Sequence, residues 1–135
     1  MRNFASIDFE TTNYNRLDAC RLGIVIVNEI IEKRHCLIRP QPNFYCSWAT
    51  SIHGLSYYDT LKEPESPEIW EDIIAKIEVP LVAHNSDTGC LKAVHDLYRM
   101  QYPSYIFLCT YHTEKKEYPN LVNHQLHTIA NTYWI

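Results

Sequence analysis

The sequence predicts an α/β domain whose mixed sheet opens with an antiparallel hairpin, continues as parallel βαβ units and is flanked by helices. Short apolar runs at 4–9, 22–27, 80–83 and 105–109 have the length and the β-branched or aromatic content of strands. Two amphipathic stretches, opening at Ser66 and at Asp87, alternate with the later runs. A chain of 135 residues, 46% apolar and 21% charged, suits one packed domain and excludes global disorder.

Phe4–Phe9 reads as a buried strand ending in carboxylates, and Thr11–Asp18 as a polar turn. Leu22–Val27 is continuously apolar, which predicts a strand covered on both faces. A tight turn at Asn28-Glu29 leads into Ile30–Ile38, and Pro40 and Pro42 end that hairpin. From Arg39 to Leu61 no period emerges, and a loop this long is functional or mobile. Ser66 can cap a helix and Pro67 suits its first position, with Ile69, Trp70, Ile73, Ile74 and Ile77 on one face. Pro80–Ala83 is a second buried strand. Asp87–Gln101 is a helix turning Cys90, Leu91, Val94, Leu97 and Tyr98 inward, stopped by Pro103. Tyr105–Cys109 is a third buried strand, His112–Tyr118 a short polar segment, and Gln125–Tyr133 the start of a last helix.

A net charge of −4 excludes a generally basic nucleic-acid coat protein but leaves room for a local nucleic-acid cleft. No window approaches the roughly 18 apolar residues of a membrane span, so no membrane partner is expected. The N-terminus MRNFASIDFE lacks the apolar core of a signal peptide. Five cysteines, an odd number without a CxxC pair, point to reduced thiols in a cytoplasmic protein.

Asp8 and Glu10 carry the sharpest chemical signal. Residues two apart in a strand share a face, so both carboxylates project together while Phe9 points into the opposite layer. Two adjacent acids repel, and a hard divalent ion with oxygen preference compensates them; a strand end reaching solvent is the other reading. Asp87 follows a buried strand through a three-residue turn and precedes a helix. It is either a helix N-cap or a third ligand facing Asp8 and Glu10 across neighbouring strand ends.

The segment Phe4-Ala5-Ser6-Ile7-Asp8-Phe9-Glu10-Thr11-Thr12 resembles the first motif of the DnaQ-like (DEDDh) 3′→5′ exonucleases, relatives of the DNA polymerase III epsilon proofreading subunit on a ribonuclease H-like fold. Cys20–Val25 resembles the family's second strand, and Ser51-Ile52-His53-Gly54-Leu55 its IHGI element. Leu81-Val82-Ala83-His84-Asn85 with Asp87 resembles the second motif, and Asn123-His124-Gln125-Leu126 a later NHxL element. The elements come in family order along nearly the whole chain.

The resemblance implies a single exonuclease-like domain over residues 1–135, expected to be incomplete at its C-terminus. It implies two divalent ions, Mg²⁺ or Mn²⁺, with Asp8, Glu10 and Asp87 as catalytic metal ligands. Thr11 and Thr12 would lie against the terminal nucleotide, and His53, Gly54 and Leu55 would shape the pocket for its base. The expected substrate is a single-stranded 3′ end of DNA or RNA, the product nucleoside monophosphates, and a DNA polymerase a candidate partner. A non-catalytic nucleic-acid-binding or polymerase-associated module is the rival reading. Two departures stand out. Only Ser86 separates Asn85 from Asp87, a loop about two residues shorter than the family's, and no histidine has an Asp five residues later. Either the polypeptide lacks these groups, or residues near Ser86 and after Ile135 are not among the 135.

Among the remaining residues, His84 is read as a structural histidine before a ligand, and His95, His124 and His127 form no zinc pattern. The aromatics Phe44, Tyr45, Trp48, Tyr57 and Tyr58 either stack unpaired bases or cover one face of the sheet. Arg16, Arg21, Lys92, Lys115 and Lys116 are candidate phosphate contacts, and Cys90 a core residue.

Overall fold

In the computed structural model, residues 3–14, 18–28, 31–73, 76–85, 87–101 and 106–133 are described, without the side chains of residues 87–89. Arg16, Glu29 of the expected turn, Ile74, Ser86, Pro103 and Tyr105 lie outside the described residues. Strands β1 (Phe4–Thr11), β2 (Ala19–Val27) and β3 (Ile31–Leu37) are followed by helices α1 (Ser47–His53), α2 (Tyr57–Thr60) and α3 (Ser66–Asp72). Then come β4 (Leu81–Ala83), α4 (Asp87–Tyr98), β5 (Phe107–Cys109), α5 (Thr110–Glu117) and α6 (Leu126–Tyr133). One five-stranded sheet runs β3-β2-β1-β4-β5. β1 pairs antiparallel with β2 and parallel with β4, and β4 pairs parallel with β5. The mixed sheet flanked by helices is therefore as the sequence predicts.

Strand alternation decides which face becomes core. Ala5 and Ile7 of β1, Leu22 and Ile24 of β2 and Leu81 and Ala83 of β4 point one way and are buried. Ile69 and Trp70 of α3 and Leu91 of α4 cover them, with Phe9 packed alongside. Burying each of these large side chains contributes about 1.5–3 kcal/mol. On the other face, Val25 and Val82 are only half-buried and Leu108 is exposed. The run Leu22–Val27 is thus covered on one face, contrary to the expectation of two. Continuous apolarity does not separate a doubly buried strand from one whose second face is merely valine-rich.

Helix boundaries follow local capping more closely than the apolar pattern. α3 is capped by Glu65, not Ser66, and the Glu65 N–H donates to Glu68 Oε1 at 3.0 Å. The helix ends at Asp72, so Ile77 reaches the core from beyond it. In α4 the inward place expected for Leu97 belongs to His95, whose Nδ1 donates to the Leu91 carbonyl at 2.8 Å, while Leu97 is 41% exposed. α4 stops before Pro103, at Arg99, whose φ of 53° lies in the left-handed region while the Met100 N–H donates to the His95 carbonyl.

The stretch 39–61 holds two short helices rather than a plain loop. Cys46 caps α1, its Sγ accepting the Ala49 N–H at 3.4 Å, and Gly54 ends it at φ 75° with its N–H on the Thr50 carbonyl. A Cβ on Gly54 would meet nothing within 4 Å, so Gly54→Ala isolates the left-handed backbone cost. Urea denaturation is expected to show a loss of about 1 kcal/mol, while a neutral result would place Gly54 outside that conformation.

α2 opens on a capping box in which the Ser56 N–H and hydroxyl both donate to Asp59 Oδ2, at 2.7 and 2.6 Å. The Ser56 hydroxyl and N–H hold the Asp59 carboxyl below its ordinary value of 3.8. Its contribution to α2 is present above that value and lost as pH falls through the lowered one. NMR titration is expected to move the Ser56 amide in step with Asp59, at a midpoint below that of an unstructured Asp.

Candidate functional site

The candidate site is the C-terminal end of the central strand. With Ala5 and Ile7 committed to the core, Ser6, Asp8 and Glu10 leave β1 on the opposite face. Asp8 is exposed and lies across from Gly23, and Glu10 lies across from Arg21. A shallow hollow of about 370 Å³ opens beside Asp8, floored by Gly23 and walled by Ser6, Val25, Lys33 and His35. Arg21 Nη2 stands 3.9 Å from Glu10 Oε1, with both side chains about one-third exposed, so Arg21 serves a carboxylate before any phosphate.

β4 brings the second motif alongside. Ser6 pairs with Val82, so Asp8 comes level with His84, the first residue past β4. Asp87 opens α4, which lies against β1, but its side chain is outside the described residues. Among the described residues no three His, Cys, Asp or Glu side chains are grouped to hold a metal ion. Asp8 and Glu10, two hard oxygen donors on one face, fit Mg²⁺ or Mn²⁺ chemically as part of a larger ligand set. His84 is tied down: its Nδ1 lies 2.9 Å from Thr110 Oγ1, which donates to the Ala83 carbonyl at 3.3 Å. That hydroxyl proton being used, His84 Nδ1 carries the donor, and the ring links β4 to α5.

The chain beyond Glu10 is fastened on all sides. The Thr12 N–H donates to the Asp18 carbonyl, and the Cys46 N–H to the Thr12 carbonyl, both at 2.9 Å. Thr12 is 0% exposed, and its hydroxyl accepts from Asn13. Half-buried Thr11 donates its own hydroxyl to the Asn13 carbonyl. His53 accepts the Leu55 N–H on Nδ1 at 3.0 Å and reaches the Thr11 carbonyl with Nε2 at 3.2 Å. Gly54 is exposed and Leu55 half-buried.

Sequence reasoning missed Cys20. Its Sγ donates to the Glu10 carbonyl at 3.4 Å, and burial pushes the thiol from its ordinary 9.0 up to about 11, so it stays protonated at neutral pH. A cysteine in an apolar strand gives no warning of this. Tyr45 lies behind it, its phenol also raised by burial and donating to Thr60 Oγ1, which donates to Asn43 Oδ1. The other aromatics of the segment, Phe44, Trp48, Tyr57 and Tyr58, are exposed, and none joins the core. Trp48 stacks on exposed Tyr14 with centroids 4.8 Å apart and planes 17° off parallel. Lys115 lies over the Tyr111 ring, and Lys92 pairs with Asp96.

Comparison with protein-family models and with curated proteins finds no match. Solved structures do match. Exonuclease X, solved with 5′-overhanging duplex DNA, superposes with a TM-score of 0.77 at 16% identity, over 98% of this chain and 74% of that one. A 3′-exonuclease specific for the 3′ end of a histone mRNA stem-loop gives 0.77 at 17% identity, over 98% and 70%. Product-bound exonuclease I gives 0.75 at 13% identity, over all of this chain but 39% of its own. The fold is ribonuclease H-like, that of these exonucleases. At such identities the likeness establishes architecture, and function has to be argued from the site.

Proposed function

We propose that this chain is a metal-dependent 3′→5′ exonuclease that hydrolyses phosphodiesters at single-stranded 3′ ends and releases nucleoside monophosphates. The observation that carries the reading is that Asp8 and Glu10 leave one face of the central strand, at its carboxyl end, in a chain with an exonuclease fold. Residues 1–135 are taken as one exonuclease-like domain.

In this reading Asp8, Glu10 and Asp87 hold two divalent ions, Mg²⁺ or Mn²⁺. Bound there, the ions supply an activated water and charge stabilisation for the departing 3′ oxygen. Arg21 balances Glu10 until that charge is otherwise met. Thr11 and the turn that follows α1, with exposed Gly54 and half-buried Leu55, border the place of the terminal nucleotide. The solved relatives carry DNA in one case and an RNA stem-loop specificity in another, so either polymer suits the fold. Exonuclease I has also been solved with the C-terminus of SSB. For this chain the proposed protein partner is a DNA polymerase, on the motif likeness to the epsilon subunit.

The test is release of mononucleotides from an internally labelled single strand with Mn²⁺, abolished by chelation. Binding of the strand without cleavage would instead support the non-catalytic module.

A further inference from the structure

The pairing of β1 with β2 breaks beside the candidate site. Glu10 lies opposite Arg21, but Thr11 lies opposite Ala19, which leaves Cys20 as an extra residue in β2. Such a bulge bends and twists the strands, so the direction in which neighbouring side chains leave depends on how the bulge is held. Here it is held from outside the ladder. The Glu10 carbonyl accepts the Cys20 thiol at 3.4 Å, and the Thr11 carbonyl faces His53 Nε2 at 3.2 Å. The next carbonyl, that of Thr12, accepts the Cys46 N–H at 2.9 Å. Three successive carbonyls are thus pinned in the chain that leaves Glu10.

The tautomer of His53 follows from its partners. The Leu55 N–H donates to Nδ1, so in the neutral ring the proton sits on Nε2 and is donated to the Thr11 carbonyl. The ring belongs to the last residue of α1, and Gly54 turns the chain away immediately after it. Cys20 Sγ lies 3.9 Å from the same Nε2 and is fully buried, so the two donors act side by side.

We propose that His53 and Cys20 are positioning residues for the Asp8–Glu10 site, holding the Thr11 and Glu10 carbonyls at the bulge and thereby aiming the Glu10 carboxylate. The inference rests on the exonuclease reading. With both ring nitrogens engaged inside the fold, His53 acts on the site through the backbone and not by contact with a base. A displacement of about 1 Å in a catalytic group can cost on the order of 10²-fold in rate, so the device has leverage.

Two substitutions separate the ring's two bonds. His53→Gln places an amide donor where Nε2 was but loses the acceptor for Leu55, whereas His53→Asn keeps a short acceptor near Nδ1 and loses the reach to Thr11. In the full chain, with melting temperatures measured alongside, His53→Asn is expected to lower kcat by about 10- to 100-fold. It is also expected to weaken Mn²⁺ binding severalfold, read by paramagnetic resonance of free Mn²⁺, with KM for a single strand unchanged. His53→Gln is expected to stay within a few-fold of the parent in both. Cys20→Ala is expected to follow His53→Asn in direction, and Cys20→Ser, which restores a donor, to recover part of the loss. Equal losses in the Gln and Asn variants, or a rise in KM alone, would overturn the proposal. If the parent binds Mn²⁺ without cleaving, the exonuclease reading fails while the Mn²⁺ titration still decides the positioning claim. If the parent binds no Mn²⁺, both fall.

Discussion

Asp8→Asn is expected to reduce Mn²⁺-supported release of mononucleotides by on the order of 10³-fold or more, with no loss of thermal stability. Asparagine keeps the shape but halves the oxygen donors and removes the charge, so several kcal/mol of charge stabilisation disappear where a metal ion would need it. The fold has little stake in this carboxylate: Asp8 is exposed, and among the described residues no ion pair includes it. Glu10→Gln is expected to act in the same direction. There the release of Arg21 from its partner at 3.9 Å changes stability by less than about 1 kcal/mol, since the pair is partly exposed. Turnover by Asp8→Asn within tenfold of the parent would remove this carboxylate from the chemistry.

The largest stability effect is expected at Trp70. The residue is 9% exposed, and its ring sits over the sheet with Ile69 and meets His95 edge-on with centroids 4.1 Å apart. Trp70→Ala would leave a cavity between α3, α4 and the sheet, and large-to-small changes of this kind cost about 3–5 kcal/mol. Circular dichroism during urea denaturation is expected to show that loss, and the melting temperature to fall by more than about 10 °C. A change below about 1 kcal/mol would mean that the helices do not pack on the sheet through this ring.

Much of this architecture is legible in the sequence because it depends on period and order. Strand alternation alone places Asp8 and Glu10 on one face, and the later strand–helix alternation is enough to expect parallel βαβ units, whereas the place of β4 beside β1 comes from the observed pairing. The rest was set by interactions that leave no periodic trace. α1 is a seven-residue helix whose cap is a cysteine sulfur, and its anchors on Thr11 and Thr12 are tertiary. α5 has no buried residue, so no apolar stripe announced it. The Ser56-x-x-Asp59 box was readable but easily passed over in an aromatic stretch. The bulge falls at a cysteine instead of the glycine that often marks such places, and only the observed register exposes it.

The strand order has a consequence for how the molecule meets copies of itself. A sheet ends in two rows of backbone groups that another chain can extend, the usual seed of aggregation. At one border β3 sets Glu32, Lys33, Arg34 and His35 in succession, so an incoming strand would have to strip water from a line of ionic side chains. At the other, β5 offers only three residues, too little template for stable growth. The fold thereby keeps its own growth in check, and its solubility at high concentration should depend on those border charges more than on the total of −4.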